Sequence, residues 1–346
     1  MKKLLLATLF VLLVFDISAQ QVTNASFTQK GKQVEITYTL DRKADIEVFV
    51  STDGGKTYGN ALRAVKGDVG AEVAPGSKRL IWSPLEEGDG IVSDNVVFKI
   101  VPDGGGIRVF TINGVTFKMV RVDGGSFTMG CDSEQDSECI DKEQPAHEVA
   151  LQTFYIGQTE VTQALWYAVM GTDIAQQRDK ANSNWHLYGE GDNYPMYYVS
   201  WQDCQDFIFR LNQLTGKRFV LPTEAQWEYA ARGGNKSKNY IYSGSKNIDN
   251  VAWYDGNKVH SVASKFPNEL GIYDMSGNLW EWCADWYGVY SAESQSEPYG
   301  PATGGLRVYR GGSSWSPANN CRVTYRGSYM PQNRYYILGF RLALLP

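Results

Sequence analysis

The feature that most constrains this chain is a glycine turn that runs straight into alternating tryptophan and glutamate: Gly271-Ile-Tyr-Asp-Met-Ser-Gly-Asn-Leu-Trp-Glu-Trp282. Ser276-Gly277-Asn278 is turn chemistry, because glycine and asparagine tolerate left-handed backbone. Further on come Arg310-Gly-Gly-Ser-Ser-Trp315, Cys321-Arg-Val-Thr-Tyr-Arg326 and Leu338-Gly-Phe-Arg-Leu342. Upstream stand Gly124-Gly-Ser-Phe-Thr-Met-Gly130 and Leu221-Pro-Thr-Glu-Ala-Gln-Trp-Glu-Tyr-Ala-Ala-Arg-Gly-Gly234. Beyond residue 235 helical signals fade and Gly, Asn, Ser and Tyr are frequent. Long irregular segments of this kind must be held by something, bound calcium or disulfides being the usual means.

The first hundred residues follow a different rule. Val34, Ile36, Tyr38 and Leu40 alternate with polar residues, and Ile46-Glu-Val-Phe-Val50 repeats the pattern. Lys78-Arg-Leu-Ile-Trp82 and Asn95-Val-Val-Phe-Lys-Ile100 supply later strands, with turns at Asp53-Gly54-Gly55 and Pro75-Gly76. Short strands without helical periodicity predict a small β-sandwich, immunoglobulin-like or fibronectin-like, over residues 20–103. Its expected role is that of a spacer or adhesion module. A Gly-rich linker follows at 104–107, and a second domain over 108–346 fits the length of 346 residues. That domain opens with a hairpin signal, Asn113-Gly114.

Before the first strand, Lys2 and Lys3 precede an apolar run at 4–15 that is short for a bilayer span, and Ser18-Ala19 offers small residues before a cut at Ala19–Gln20. Residues 1–19 therefore read as a signal peptide, and the expected destination is periplasmic, cell-surface or secreted. No later segment looks transmembrane. A net charge of −5 and no long basic run argue against nucleic-acid binding.

Three helices are expected in the second domain. Ser200 caps one, with Phe207, Ile208, Leu211 and Leu214 on one face and Gly216 at its end. Thr223-Glu-Ala-Gln226 is a capping box that opens another, running through Trp227, Tyr229 and Ala230 to Gly233-Gly234. A shorter one begins at Thr162 and ends by Gly171.

In order, these motifs resemble the formylglycine-generating enzyme family (sulfatase-modifying factors) over residues 108–346. The resemblance implies an α+β, C-type-lectin-like fold with little regular structure. The family's enzymes oxidise a cysteine of a client sulfatase to formylglycine, using copper held by two cysteines a few residues beyond the Gly-Gly-Ser motif. Soft thiolates suit cuprous copper. Counting from Gly311-Gly-Ser313 puts Ser316 at the first of these positions, and counting back from Arg326 puts Ala318 near the second. Cys321 belongs with the Cys-Arg-x-x-x-Arg element, so copper is not expected. A second branch of the superfamily, the iron sulfoxide synthases, needs three histidines on an added helical domain. Here His147, His186 and His260 are the whole supply, and each is expected to be a packing or surface residue.

The family's calcium sites transfer better. Matching by position implies Asp274, Gly277, Leu279 and Glu281, with Asp274 where the family has asparagine, and a second site beginning at Asn250 and Val251. Charged and carbonyl oxygens are what a hard cation prefers. The resemblance also leaves Arg310, Arg322, Arg326 and Arg341 among aromatics and glycines, where guanidinium groups can pin loops by bonding carbonyls. Five cysteines in an exported chain permit disulfides, and sequence alone does not fix the pairing. The expectation is Cys131 with Cys139 around an acidic loop, Cys283 with Cys321, and Cys204 free.

Between Arg307 and Ile337 tyrosine, serine, asparagine and arginine dominate, a mixture of large amphipathic rings and adaptable polar groups suited to binding. It is similar to the variable C-terminal segment of lectin-fold proteins diversified by retroelements. Trp315, Asn319, Tyr325, Tyr329, Asn333, Arg334 and Tyr335 are the candidate ligand contacts, with Tyr336 beside them. At least three of the five rings are expected on one exposed surface. The function expected is a non-catalytic recognition module of the cell envelope with a protein or glycan ligand. A family oxidase, or a structural subunit of an envelope machine, is the alternative.

Overall fold

The computed structural model describes residues 22–58, 62, 64–87, 93, 95–102, 106–131 and 139–345. The expected signal peptide at 1–19, part of the linker and the acidic loop at 132–138 lie outside the described residues. The chain divides into two compact units, 1–107 and 108–346.

In the first unit the alternation does what its period dictates. Val34, Ile36, Tyr38 and Leu40 are all buried in the strand Gln33–Leu40. It pairs antiparallel with Val22–Lys30 on one side and Gly76–Trp82 on the other, and Val65–Gly67 completes a four-stranded sheet. A second antiparallel sheet joins Gly70–Val73, Ala44–Ser51 and Val97–Pro102. Ile36, Leu40, Leu80 and Trp82 of one sheet share a core with Ile46, Val48 and Phe98 of the other. The Asp53 turn is organised by its carboxylate, which accepts the Ser51 and Thr57 hydroxyls and the Lys56 and Thr57 N–H groups. Those bonds hold the acid well below the usual carboxylate range.

The second unit is α+β. The strands Ile107–Ile112 and Val115–Val122 flank Asn113 and Gly114, whose φ angles of 48° and 85° make the tight turn. They form the edge of a five-stranded sheet completed by Phe154–Gly157, Ala343–Leu344 and Phe219–Val220. The expected helices are present as Gln163–Met170, Trp201–Thr215 and Glu224–Ala231, capped by Thr162, Ser200 and Thr223. On the second of these, Cys204, Phe207, Ile208 and Leu211 turn inward, whereas Leu214 is 53% exposed. The packed stripe ends one turn before the Gly216 cap. A helix that periodicity did not predict runs over Ile174–Asn182, with Asp173 and Gln176 as its capping box and only Ile174 and Gln177 buried. Among the described residues no helix is long and apolar enough to cross a membrane.

The element that positions the site is the strand Trp280–Trp286, in a sheet with Arg307–Arg310, Arg326–Tyr329 and Leu338–Gly339. Both of its faces are buried. Trp280, Trp282 and Ala284 enter the main core. Glu281 and Asp285 on the other face bond the Glu224–Ala231 helix, through Trp227 Nε1 at 2.7 Å and the Glu224 N–H at 2.8 Å.

Candidate functional site: a carboxylate cluster, a glycine turn and an aromatic face

The turn before Trp280 is built for close backbone approach. Asp274, Gly277 and Asn278 have φ of 58°, 82° and 62°. A Cβ at Gly277 would sit 2.3 Å from the Trp253 carbonyl oxygen, so only glycine fits. Around this turn three buried carboxyl groups feel one another's charge. Glu281 receives Arg341 on both oxygens, at 2.6 Å each, besides Trp227. Glu160 accepts the Leu279 N–H at 3.1 Å and the Asn278 amide at 3.0 Å. Asp274 accepts the Ala263 N–H at 2.7 Å. Burial, and then the charges of Asp274 and Glu281, push the Glu160 acid up, and burial pushes Asp274 up to about 6. Glu160 is the member that sequence reasoning missed, because it stands far upstream, just before the Gln163–Met170 helix. Asn250 and Val251 lie elsewhere, at the end of a short 3-10 turn. The Asn250 carbonyl accepts the Phe266 N–H, and the Lys265 ammonium bonds the adjacent Asp249 carbonyl at 2.7 Å.

The arginines do pin loops, but each also finds a buried acid. Arg341 donates to the Gly157 and Tyr273 carbonyls as well as to Glu281. Arg322 pairs bidentately with Glu143 at 2.8 and 2.9 Å. Arg326 grips Glu224 at 2.6 and 2.7 Å, and Arg310 bonds Glu228 together with the Val323 and Thr324 carbonyls.

At the Gly-Gly-Ser turn, Ser316 Oγ accepts the Ser313 N–H and lies 3.0 Å from Ser313 Oγ. Ala318 is on the following 3-10 turn, Ala318–Cys321. Cys131 and Cys139 are disulfide-bonded as expected. The pairing of Cys283 with Cys321 is corrected: both are free and buried, as is Cys204. Strand alternation carries Cys283 into the cluster around Trp227 and Val308, whereas Cys321 packs with Tyr242, Ile248 and Val251. Cys204 sits in the third cluster, the main core. A Cβ at Gly312 would be 2.4 Å from Cys321 Sγ, so glycine there makes room for the sulfur. Burial pushes the Cys321 thiol up to about 12.

The aromatic face differs from its expectation in exposure and membership. Tyr329, 36% exposed, alone of the five rings stands well out, and Trp315, Tyr325, Tyr335 and Tyr336 are half-buried against the main core. Trp315, Tyr336 and Tyr335 form a continuous run with centroids 5.1 and 4.5 Å apart, and Tyr329 lies 6.3 Å from Tyr335. Tyr188 joins Trp315 and Tyr336, and Trp185 joins Tyr335; neither was expected. Tyr325 instead packs on Trp280, with the Lys142 ammonium 4.1 Å over its ring. Asn319 is exposed, Asn333 is half-buried, and Arg334 is tied to Asp203 at 2.7 Å.

Glycine turns, buried arginine–carboxylate pairs and a strand buried on both faces define an α+β domain with little regular structure, held by polar cross-links. Residues 112–345 match the sulfatase-modifying factor enzyme 1-like domain, and the chain belongs to that family. It is similar to the formylglycine-generating enzyme of Streptomyces coelicolor, 33% identical and covering 65% of this chain and 88% of the relative. It is also similar to the chaperone protein LppX of Paenibacillus barcinonensis, 30% identical and covering 68% of this chain and 92% of that one. Among solved structures, Treponema denticola variable protein 1 superposes with a TM-score of 0.61 at 30% identity, covering 69% of this chain and 99% of that one.

Proposed function

We propose that this protein is an exported, non-catalytic recognition module whose ligand, a protein or a glycan, lies on the aromatic face. The observation that carries the reading is the scatter of thiols. A two-thiolate copper site needs two sulfurs side by side, and the three free cysteines fall in three separate apolar clusters. The Ser316 hydroxyl stands near the turn, bonded to Ser313. A thiol held up at about 12 is also a poor source of thiolate. The relative named a chaperone supports a role in binding another protein.

The test is incubation of the purified protein with copper and a peptide carrying a sulfatase cysteine. Mass spectrometry is expected to show the cysteine unchanged. Conversion to formylglycine overturns the reading and favours the oxidase that other relatives' names describe. For the face, Trp315→Ala and Tyr335→Ala are each expected to cost about 1–4 kcal/mol in affinity for a ligand found on a glycan array or by pull-down. Affinity indifferent to both substitutions moves the site elsewhere.

The export reading rests on the basic, apolar and small-residue pattern of residues 1–19. The two-sheet first unit supports an immunoglobulin-like or fibronectin-like spacer. Calcium belongs to the same proposal. Glu160, Asp274 and Glu281 face one guanidinium, Arg341, an excess of two negative charges when all are ionised. A divalent cation balances that excess, and carboxylate and carbonyl oxygens suit calcium. Asp274 and Glu281 would hold it with the Gly277 and Leu279 carbonyls, and Glu160 would add negative charge nearby. At Asn250 and Val251 the Lys265 ammonium already supplies positive charge.

A further inference from the structure

We propose that a cavity beside Asp285 binds a small organic ammonium ion, a primary amine on a short apolar stem. The cavity measures about 310 Å³ and opens where the Glu224–Ala231 helix begins. It shares no residue with the aromatic face, so the two readings stand or fall separately.

Accounting for the polar atoms on its floor defines what can enter. Glu224 is spent on Arg326, at 2.6 and 2.7 Å, and on the Tyr290 hydroxyl at 3.1 Å. Arg326 spends its remaining nitrogen on the Gly288 and Lys142 carbonyls. Of the buried polar side chains that line it, two are left. His147 is only 5% exposed, and its Nδ1 lies 3.1 Å from the Pro145 carbonyl. A carbonyl only accepts, so Nδ1 carries a proton, and Nε2 has no partner among the described residues. Asp285 is 3% exposed and commits one oxygen to the Glu224 N–H.

An ammonium has three donors and no acceptor, so it suits the second oxygen of the Asp285 carboxylate, and in neutral His147 the Nε2 lone pair on the same lining is a further acceptor. Burial and the neighbouring Glu224 push the Asp285 acid up to about 8, the behaviour of a carboxyl short of a counter-cation. At the mouth, Val289 is 90% and Tyr299 61% exposed, apolar surface for the stem to cover.

The test is a ligand-detected NMR titration of the full chain with n-butylammonium, and with 1-butanol as the neutral match. Saturable binding of the amine and none of the alcohol is expected. Asp285→Asn keeps an acceptor for the Glu224 N–H and removes the charge, and is expected to weaken binding at least tenfold. Val289→Arg, at an exposed rim, should do the same with the native near-ultraviolet circular dichroism intact. Displacement by Nα-acetyl-lysine methylamide would mark a protein side chain as the source; failure to displace marks a free amine. Equal binding of butanol, binding of methyl α-glucoside in place of the amine, no saturable amine binding, or indifference to both substitutions overturns the proposal.

Discussion

At the scale of single residues this domain is organised by charges kept out of water. Arg310, Arg322, Arg326 and Arg341 are each at most 2% exposed, and each meets a buried carboxylate. Leaving one such partner alone typically costs about 3–5 kcal/mol, so these pairs enforce the loop paths more than they add net stability. The arginines were legible in the sequence as loop pins. Their partners were not, because Glu143, Glu224 and Glu228 look in a sequence like ordinary acids of turns and helices. Asp285 is the acid without enough positive charge. Its folded pKa, about 8, stands above the unfolded value of about 3.9. The native state therefore holds a proton that the unfolded state releases between those limits, and stability falls as pH rises through that window. Asp285→Asn cannot titrate. The wild-type urea midpoint, taken relative to that of Asp285→Asn, should therefore fall from pH 5 to pH 8. A difference that does not change with pH would show that Asp285 ionises normally.

At the scale of elements, local chemistry was the most legible. Two helix starts followed from the capping residues Ser200 and Thr223, and at Ser200 the cap is a reciprocal box. Ser200 Oγ accepts the Asp203 N–H at 3.1 Å, and Asp203 Oδ2 accepts the Ser200 N–H at 2.8 Å. The Ile174–Asn182 helix was missed because it lacks an apolar stripe, although Asp173-x-x-Gln176 is the same kind of start. The strand Trp280–Trp286 was legible as a motif but not as an element, because burial on both faces erases the period of two. Ser200→Ala should lower stability by about 1 kcal/mol, and Ser200→Thr should recover most of it. Urea unfolding of the two variants checks this. An alanine variant as stable as the wild type would mean that the Asp203–Arg334 ion pair fixes this helix start without the hydroxyl.

At the scale of the molecule, the change of periodicity near residue 103 falls close to the division between the two compact units at 107 and 108, and the ordered motifs lie within the family match over 112–345. What stayed hidden was the meeting of distant residues. Glu160 and Asp274 lie far apart in the chain and, when ionised, give the surroundings of Arg341 an excess of negative charge. If calcium resolves that excess, it should brace the irregular loops as a whole. Nine of the ten tryptophans follow residue 108, so tryptophan fluorescence reports mainly on this unit. Ligand linkage gives about 2.7 kcal/mol of stabilisation at a hundredfold excess over the dissociation constant. Chelation should therefore lower the fluorescence melting temperature of the full chain, and added calcium should restore it. Glu160→Gln should lose part of that response while the first unit keeps its own stability. A melting temperature indifferent to both chelator and calcium would mean that the acids are held by protons and Arg341 alone.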